Sequence, residues 1–290
     1  MKALLVVIPF ALSMSTTSNG SEPVDRQPTS IQIRFEARVG DRPFRCADRY
    51  DGVGITGATI LPQDFRLYVS DIRLLKADGS ATQVSLTPDD NWQSDKVALL
   101  DFENDTGNCS GSPGTNAVVR GTVPKGDYTG LLFTIGVPAE LNHLDPTLAK
   151  APLNRTDLFW PWRIGYKFTS IAFDSSRLPP GTNMPGPDAS TFSIILGSMD
   201  CGDGSWDAPP NGECRSPNRP TFRLESFNVE RRSVILDLAG LVSTSDVSVR
   251  PPNSDSGCWS FTENNDCVTV MSLFGLPFRG QPSGGQKFVR

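Results

Sequence analysis

Between residues 31 and 39 the chain alternates without a break. Ile31, Ile33, Phe35, Ala37 and Val39 are apolar, and Gln32, Arg34, Glu36 and Arg38 between them are polar. A period of two predicts a strand with one buried and one solvated face. Phe65 to Val69 and Ile72 to Leu74 continue the period, and Ala77-Asp78-Gly79-Ser80 then reads as a hairpin turn in which Asp-Gly supplies the positive φ angles. Val97 to Phe102 is a short apolar run, predicted to be buried on both faces. Val118 to Val123 is a further strand, closed by the turn Pro124-Lys125-Gly126-Asp127, and Tyr128 to Val137 is the most apolar one. Strands are also expected from Tyr166 to Phe173, Phe192 to Leu196, Thr221 to Val229 and Ser233 to Leu238. The count comes to about ten, with turn signals recurring along the chain. The fold class is therefore all-β, a β-sandwich with little helix.

Helical signals are few. Asp145 to Lys150 allows one short turn, and Asp266 to Phe274 a short helix stopped by Gly275. Pro- and Gly-rich stretches at Leu178 to Pro187 and Cys201 to Pro220 read as long loops. No internal repeat is visible, and one domain over 22–290 is the simplest organisation. Residues 1–21 read as a secretory signal: Lys2 is the positive start, Ala3 to Met14 is apolar, and Ser15 to Ser21 is small and polar. That apolar run is too short to span a bilayer.

Composition narrows the function. A net charge of −5 and a pI near 5.0 argue against nucleic acid, which requires clustered Lys and Arg. The six cysteines are Cys46, Cys109, Cys201, Cys214, Cys258 and Cys267; an even number in an exported chain implies disulfides. Nearness favours Cys201–Cys214 and Cys258–Cys267, leaving Cys46–Cys109, although sequence alone leaves the connectivity open. The spacings C-x12-C and C-x8-C do not suit a zinc site built from close cysteine pairs.

The chain has one histidine, His143, in a loop between Pro138 and Pro146. Imidazole is a common ligand for copper, zinc and iron; the plainer alternative is a histidine bonded to loop backbone. With a single histidine and no G-x-S-x-G elbow, ordinary hydrolytic sets find no support, and the protein is not expected to be an enzyme. Asp200, Asp203 and Asp207 share one loop but depart from a calcium-binding pattern. Trp160 and Trp162 flank Pro161, and an extended backbone would put both indoles on one face.

These residues resemble the MbnP-like family, also called metallo-mystery pair four-Cys motif proteins. The resemblance runs through Phe35 to Gly40, Cys46, Phe65 to Leu74, Val97 to Glu103, Cys109, Leu141-Asn142-His143 and Trp160 to Phe168. It continues through Leu196-Gly197-Ser198, Cys201, and Gly257-Cys258-Trp259-Ser260 to Cys267. It implies a periplasmic or otherwise exported protein, paired with a di-haem partner similar to bacterial cytochrome c peroxidases. It also implies oxidation of a tryptophan to kynurenine, and copper bound by that product together with histidine. The four family cysteines match Cys46, Cys109, Cys201 and Cys214. His143 matches the family histidine, and Trp160 and Trp162 are the candidates for oxidation, with Trp92, Trp206 and Trp259 remaining open. One departure stands out: relatives commonly carry a histidine just before Leu-Gly-Ser, where this chain has Ile195. Further donors near in sequence are Met199 and Asp145. The alternative is a metal-free exported module that docks a redox partner or a glycan.

Overall fold

The structure is a computed structural model and describes residues 27–176, 191–249 and 256–290. The expected signal segment and the loop at Leu178 to Pro187 lie outside those residues. In chain order the strands are β1 (Thr29–Val39), β2 (Arg42–Pro43), β3 (Tyr50–Val53), β4 (Ala58–Leu75), β5 (Ala81–Gln83), β6 (Ser85–Leu86), β7 (Val97–Asp101) and β8 (Val118–Val123). They continue with β9 (Gly130–Ile135), β10 (Thr169–Ser175), β11 (Thr191–Ile194), β12 (Met199–Cys201), β13 (Cys214–Ser216), β14 (Thr221–Leu224), β15 (Val234–Asp237) and β16 (Gly257–Cys258). The α-helices are short: α1 (Ala139–Asn142), α2 (Leu238–Leu241) and α3 (Cys267–Phe274).

Two sheets make an all-β sandwich. The smaller runs β15-β1-β8-β6, with β2 paired to β1. The larger runs β14-β9-β4-β10-β11-β16, with β3, β5 and β7 also pairing along β4. The alternating apolar residues of β1 are the buried ones, and they face the larger sheet. Phe35 of β1 meets Phe133 of β9 edge-on, with ring centroids 5.4 Å apart. Each such apolar side chain contributes roughly 1.5–3 kcal/mol when fully buried. β7 is buried at every position, as a short apolar run predicts.

β4 departs from the sequence pattern by its length. It reaches back to Ala58 through Pro62, Gln63 and Asp64, where polar residues hide the period. Asp71, at φ 51°, lies where the register with β9 shifts between Ser70 and Arg73. Such an irregularity redirects a long strand, so β4 can pair with several partners in turn. In the β4–β5 hairpin Gly79 alone of the expected Asp-Gly pair has positive φ; Asp78 instead accepts from the Ser80 amide. The segment Asp145 to Lys150 makes the one short turn expected of it, held by the Leu148 amide on the Asp145 carbonyl and by the Asp145 carboxylate, which accepts from the Thr147 amide and hydroxyl. α3 ends as expected at Gly275, whose φ of 81° is left-handed.

Three disulfides join Cys46 to Cys109, Cys201 to Cys214 and Cys258 to Cys267. The second joins β12 and β13, a two-stranded ribbon separate from both main sheets. The loop read between Cys201 and Pro220 is thus partly a hairpin. No helix among the described residues is long and apolar enough to cross a membrane.

A candidate metal centre at His143

β9 is the most apolar strand, and its exit positions the histidine. After Ile135 the chain passes Gly136 and Pro138, makes the single turn α1, and places His143 at its C-terminal cap. The residue before it, Asn142, is only 1% exposed and ties the histidine to the aromatic run. Its Nδ2 donates to the Ile164 carbonyl at 3.1 Å, and its Oδ1 accepts from the Tyr166 amide at 3.0 Å. Gly165 permits this approach: its φ is 83°, and a Cβ there would overlap the Asn142 carbonyl.

The aromatic run is therefore a tight loop, not an extended strand. Phe159 bridges to Tyr166, the Trp160 amide donates to the Gly165 carbonyl at 2.9 Å, and the Ile164 amide donates to the Pro161 carbonyl at 2.9 Å. Trp162 sits in the turn, so Trp160 and Trp162 do not share a contact face. Trp160 stacks on Trp259 at 6.4 Å and lies against Gly197 and Phe261. Trp162 instead meets Phe159 edge-on at 5.5 Å. Both indoles are half-buried. Trp206 is exposed under the Arg163 guanidinium, and Trp92 lies beneath Arg155.

His143 has one nitrogen tied to backbone and one that faces Asn142 and the Cys201–Cys214 disulfide. Its Nδ1 lies 2.9 Å from the Trp162 carbonyl, an acceptor only, so Nδ1 carries the proton and donates. Nε2 then holds the lone pair. It lies 3.2 Å from Asn142 Nδ2, which donates to it, and 3.5 Å from Cys214 Sγ. Burial lowers the imidazole pKa below its ordinary value, against the smaller raising effect of the Trp162 bond. The ring is neutral at neutral pH, the form that ligates metals.

The surrounding donors differ from those expected by sequence nearness. Asp145 is occupied in its own turn. Met199 lines a polar cleft of about 520 Å³ together with Cys201, Arg163 and Arg215. Among the described residues, the histidine, cysteine and carboxylate donors that cluster are His143, Cys201 and Cys214, within 4.8 Å of one another. Asp200, Asp203 and Asp207 do not cluster and are exposed. Ile195 is 7% exposed; its amide donates to the Cys258 carbonyl, and its own carbonyl accepts from Ser260 Oγ. The apolar side chain brings no donor to the place where the resemblance puts a second histidine.

Against the needs of a copper ion, the encoded residues supply one neutral imidazole nitrogen. The neighbouring sulfurs are paired with each other and carry no thiolate charge. An indole N–H only donates, whereas the aniline nitrogen of an oxidised tryptophan has a lone pair; the contact between His143 and this run is through the Trp162 carbonyl at Nδ1. Reading residues one at a time did not reveal the proximity of Cys214 or the role of Asn142. The signal for Asn142 was its position, directly before the histidine in Leu-Asn-His.

The family model for MbnP matches residues 28–260. Among solved structures the chain is similar to MbnP from Methylosinus trichosporium, at 27% identity and a TM-score of 0.77, over 91% of this chain and 98% of that one. No curated protein matches.

Proposed function

This chain belongs to the MbnP family, and from that premise we propose that it is an exported copper-binding protein, not an enzyme. His143 is its encoded ligand. A di-haem partner similar to cytochrome c peroxidases oxidises Trp160 or Trp162 to kynurenine, which provides a second nitrogen. The single observation that carries this reading is the state of His143. A neutral ring is locked to the Trp162 backbone through Nδ1, and its Nε2 lone pair is directed away from that bond. Three disulfides support export to an oxidising compartment such as the periplasm.

The proposed maturation balances with peroxide as oxidant. Two peroxides insert two oxygens across the pyrrole double bond and leave as water. Hydrolysis then releases formate and leaves an aniline amine beside a ketone. Peptide mass mapping tests this in protein made together with the partner and given peroxide. The expected product is a peptide spanning Trp160 and Trp162 that has lost one carbon and gained one oxygen. Unmodified tryptophan throughout would sink the maturation.

A second reading is a metal-free module that docks a redox partner or a glycan. Ile195 favours it, as does the disulfide that faces His143 Nε2. It predicts partner binding that is unchanged by copper removal and by His143→Gln.

A further inference from the structure

We propose that Cys201, Cys214 and His143 form a redox-gated site for one Cu(I) ion, created when a dithiol opens the Cys201–Cys214 disulfide. It uses only encoded side chains and does not rest on an oxidised tryptophan.

The three residues are distant in sequence, yet their donor atoms lie within 4.8 Å of one another. Nε2, the unprotonated nitrogen of His143, is already 3.5 Å from Cys214 Sγ. The hydrogen bond that now caps Nε2 is expendable. Asn142 Nδ2 keeps its second partner, the Ile164 carbonyl, when a metal takes the imidazole. The cysteines are also held without their covalent link. The β12–β13 ladder pairs Cys201 with Cys214 and Met199 with Ser216, so reduction leaves two thiols facing each other across a ribbon.

Access singles out this disulfide. Cys214, the sulfur attacked, is half-buried; its partner Cys201 is buried but borders the 520 Å³ cleft. The other four cysteines are all buried, Cys258 and Cys267 completely. A dithiol thiolate attacks Cys214 Sγ, the Cys201 sulfur leaves as thiolate, and the second thiol of the reductant closes on the mixed disulfide. The reductant departs as its own disulfide, and the two electrons remain on the cysteines. Binding then releases the two thiol protons.

The donor set selects the ion. Two thiolates and one imidazole are three soft or borderline ligands, which suits Cu(I), whereas structural zinc almost always takes four. The site carries a net charge of about −1 by this ligand count; the cleft wall sets Arg163 and Arg215 beside Asp200, Asp203, Glu213 and Glu263, so it favours a cation and does not neutralise the complex. The long C-x12-C spacing argues against a metal site only while the cysteines are considered alone; the fold supplies the third ligand.

The test uses the full mature chain made without a partner and shown by mass to contain unmodified tryptophan. It is treated anaerobically with dithiothreitol, desalted, and titrated with Cu(I) against a chromophoric chelator. We expect one tightly bound Cu(I) per reduced chain, and binding at least about 100-fold weaker in the oxidised chain. X-ray absorption of the complex should show sulfur and imidazole scatterers. His143→Gln, which leaves both cysteines in place and is checked for an unchanged urea midpoint, should weaken binding by about 10-fold or more, since even outer-shell changes at metal sites cost 10–100-fold. Cys201→Ser with Cys214→Ser should abolish it. Equal affinity in reduced and oxidised protein, no sulfur in the absorption spectrum, or unchanged affinity in His143→Gln would each overturn the proposal. So would alkylation after mild reduction that labels Cys46 and Cys109, or Cys258 and Cys267, ahead of Cys201 and Cys214. Because the tryptophans are intact, failure here leaves the kynurenine reading standing, and the converse also holds.

Discussion

Replacing Asn142 probes the link between fold and site. The Asn142 amide is buried and serves three groups: the Ile164 carbonyl, the Tyr166 amide and His143 Nε2. In Asn142→Ala the Tyr166 amide keeps a longer bond, 3.3 Å, to the Asn142 backbone carbonyl. The Ile164 carbonyl loses its donor in a buried setting. An orphaned buried acceptor costs about 1–3 kcal/mol and each lost hydrogen bond about 1 kcal/mol. The expected destabilisation is therefore about 2–4 kcal/mol, read as a fall in the urea midpoint at unchanged slope. Asn142→Asp separates structure from chemistry. The carboxylate still accepts from the Tyr166 amide but cannot donate to Ile164, and its charge beside Nε2 favours the imidazolium. With one histidine in the chain, the ring resonance titrates alone in an NMR experiment. Wild type should titrate below the ordinary value near ~6.5, and Asn142→Asp above wild type. A loss of under about 0.5 kcal/mol in Asn142→Ala, or no upward shift in Asn142→Asp, would refute Asn142 as the residue that anchors His143.

Other predictions follow from local geometry and charge. Gly165→Ala should destabilise by more than about 1 kcal/mol, because its φ of 83° is left-handed and the new Cβ meets the Asn142 carbonyl; a neutral result by urea melting would contradict this. Chain-entropy reasoning gives a larger loss for opening Cys46–Cys109, which spans 63 residues, than for Cys258–Cys267, which spans 9. The estimates are about 4 and about 2.5 kcal/mol, and equal losses in the paired Cys→Ser variants would argue against them. Asp101 has its folded pKa raised to about 7, chiefly by burial and then by Glu103. A carboxyl with a raised folded pKa stabilises fully below its unfolded value, and that contribution is lost as pH rises through about 7. Asp101→Asn should therefore flatten the fall in stability between about pH 4 and pH 7, and a slope as steep as wild type would count against it.

The strands were legible where one physical cause dominated. Strict alternation in β1 and uninterrupted apolar residues in β7 reflect one buried face and two, respectively. The early part of β4 was hidden by Pro62, Gln63 and Asp64. Two- and three-residue strands such as β2, β5 and β12 are too short to show a period. The site was legible as rare residue types, His143, Trp160 and Trp162, but its geometry was not. The i, i+2 rule failed at Trp160 and Trp162 because the Pro161–Gly165 turn rotates the chain between them. The contact of His143 with Cys214 joins residues 71 positions apart, a pairing that only the docked β12–β13 ribbon creates.

The central claim is that His143 is the encoded copper ligand of a matured MbnP-family protein. Its most direct test is a copper competition titration of protein isolated with its partner, wild type beside His143→Gln. The account predicts tight binding in wild type, weakened by about 10-fold or more in the variant. Equal copper affinities in the two proteins would contradict it.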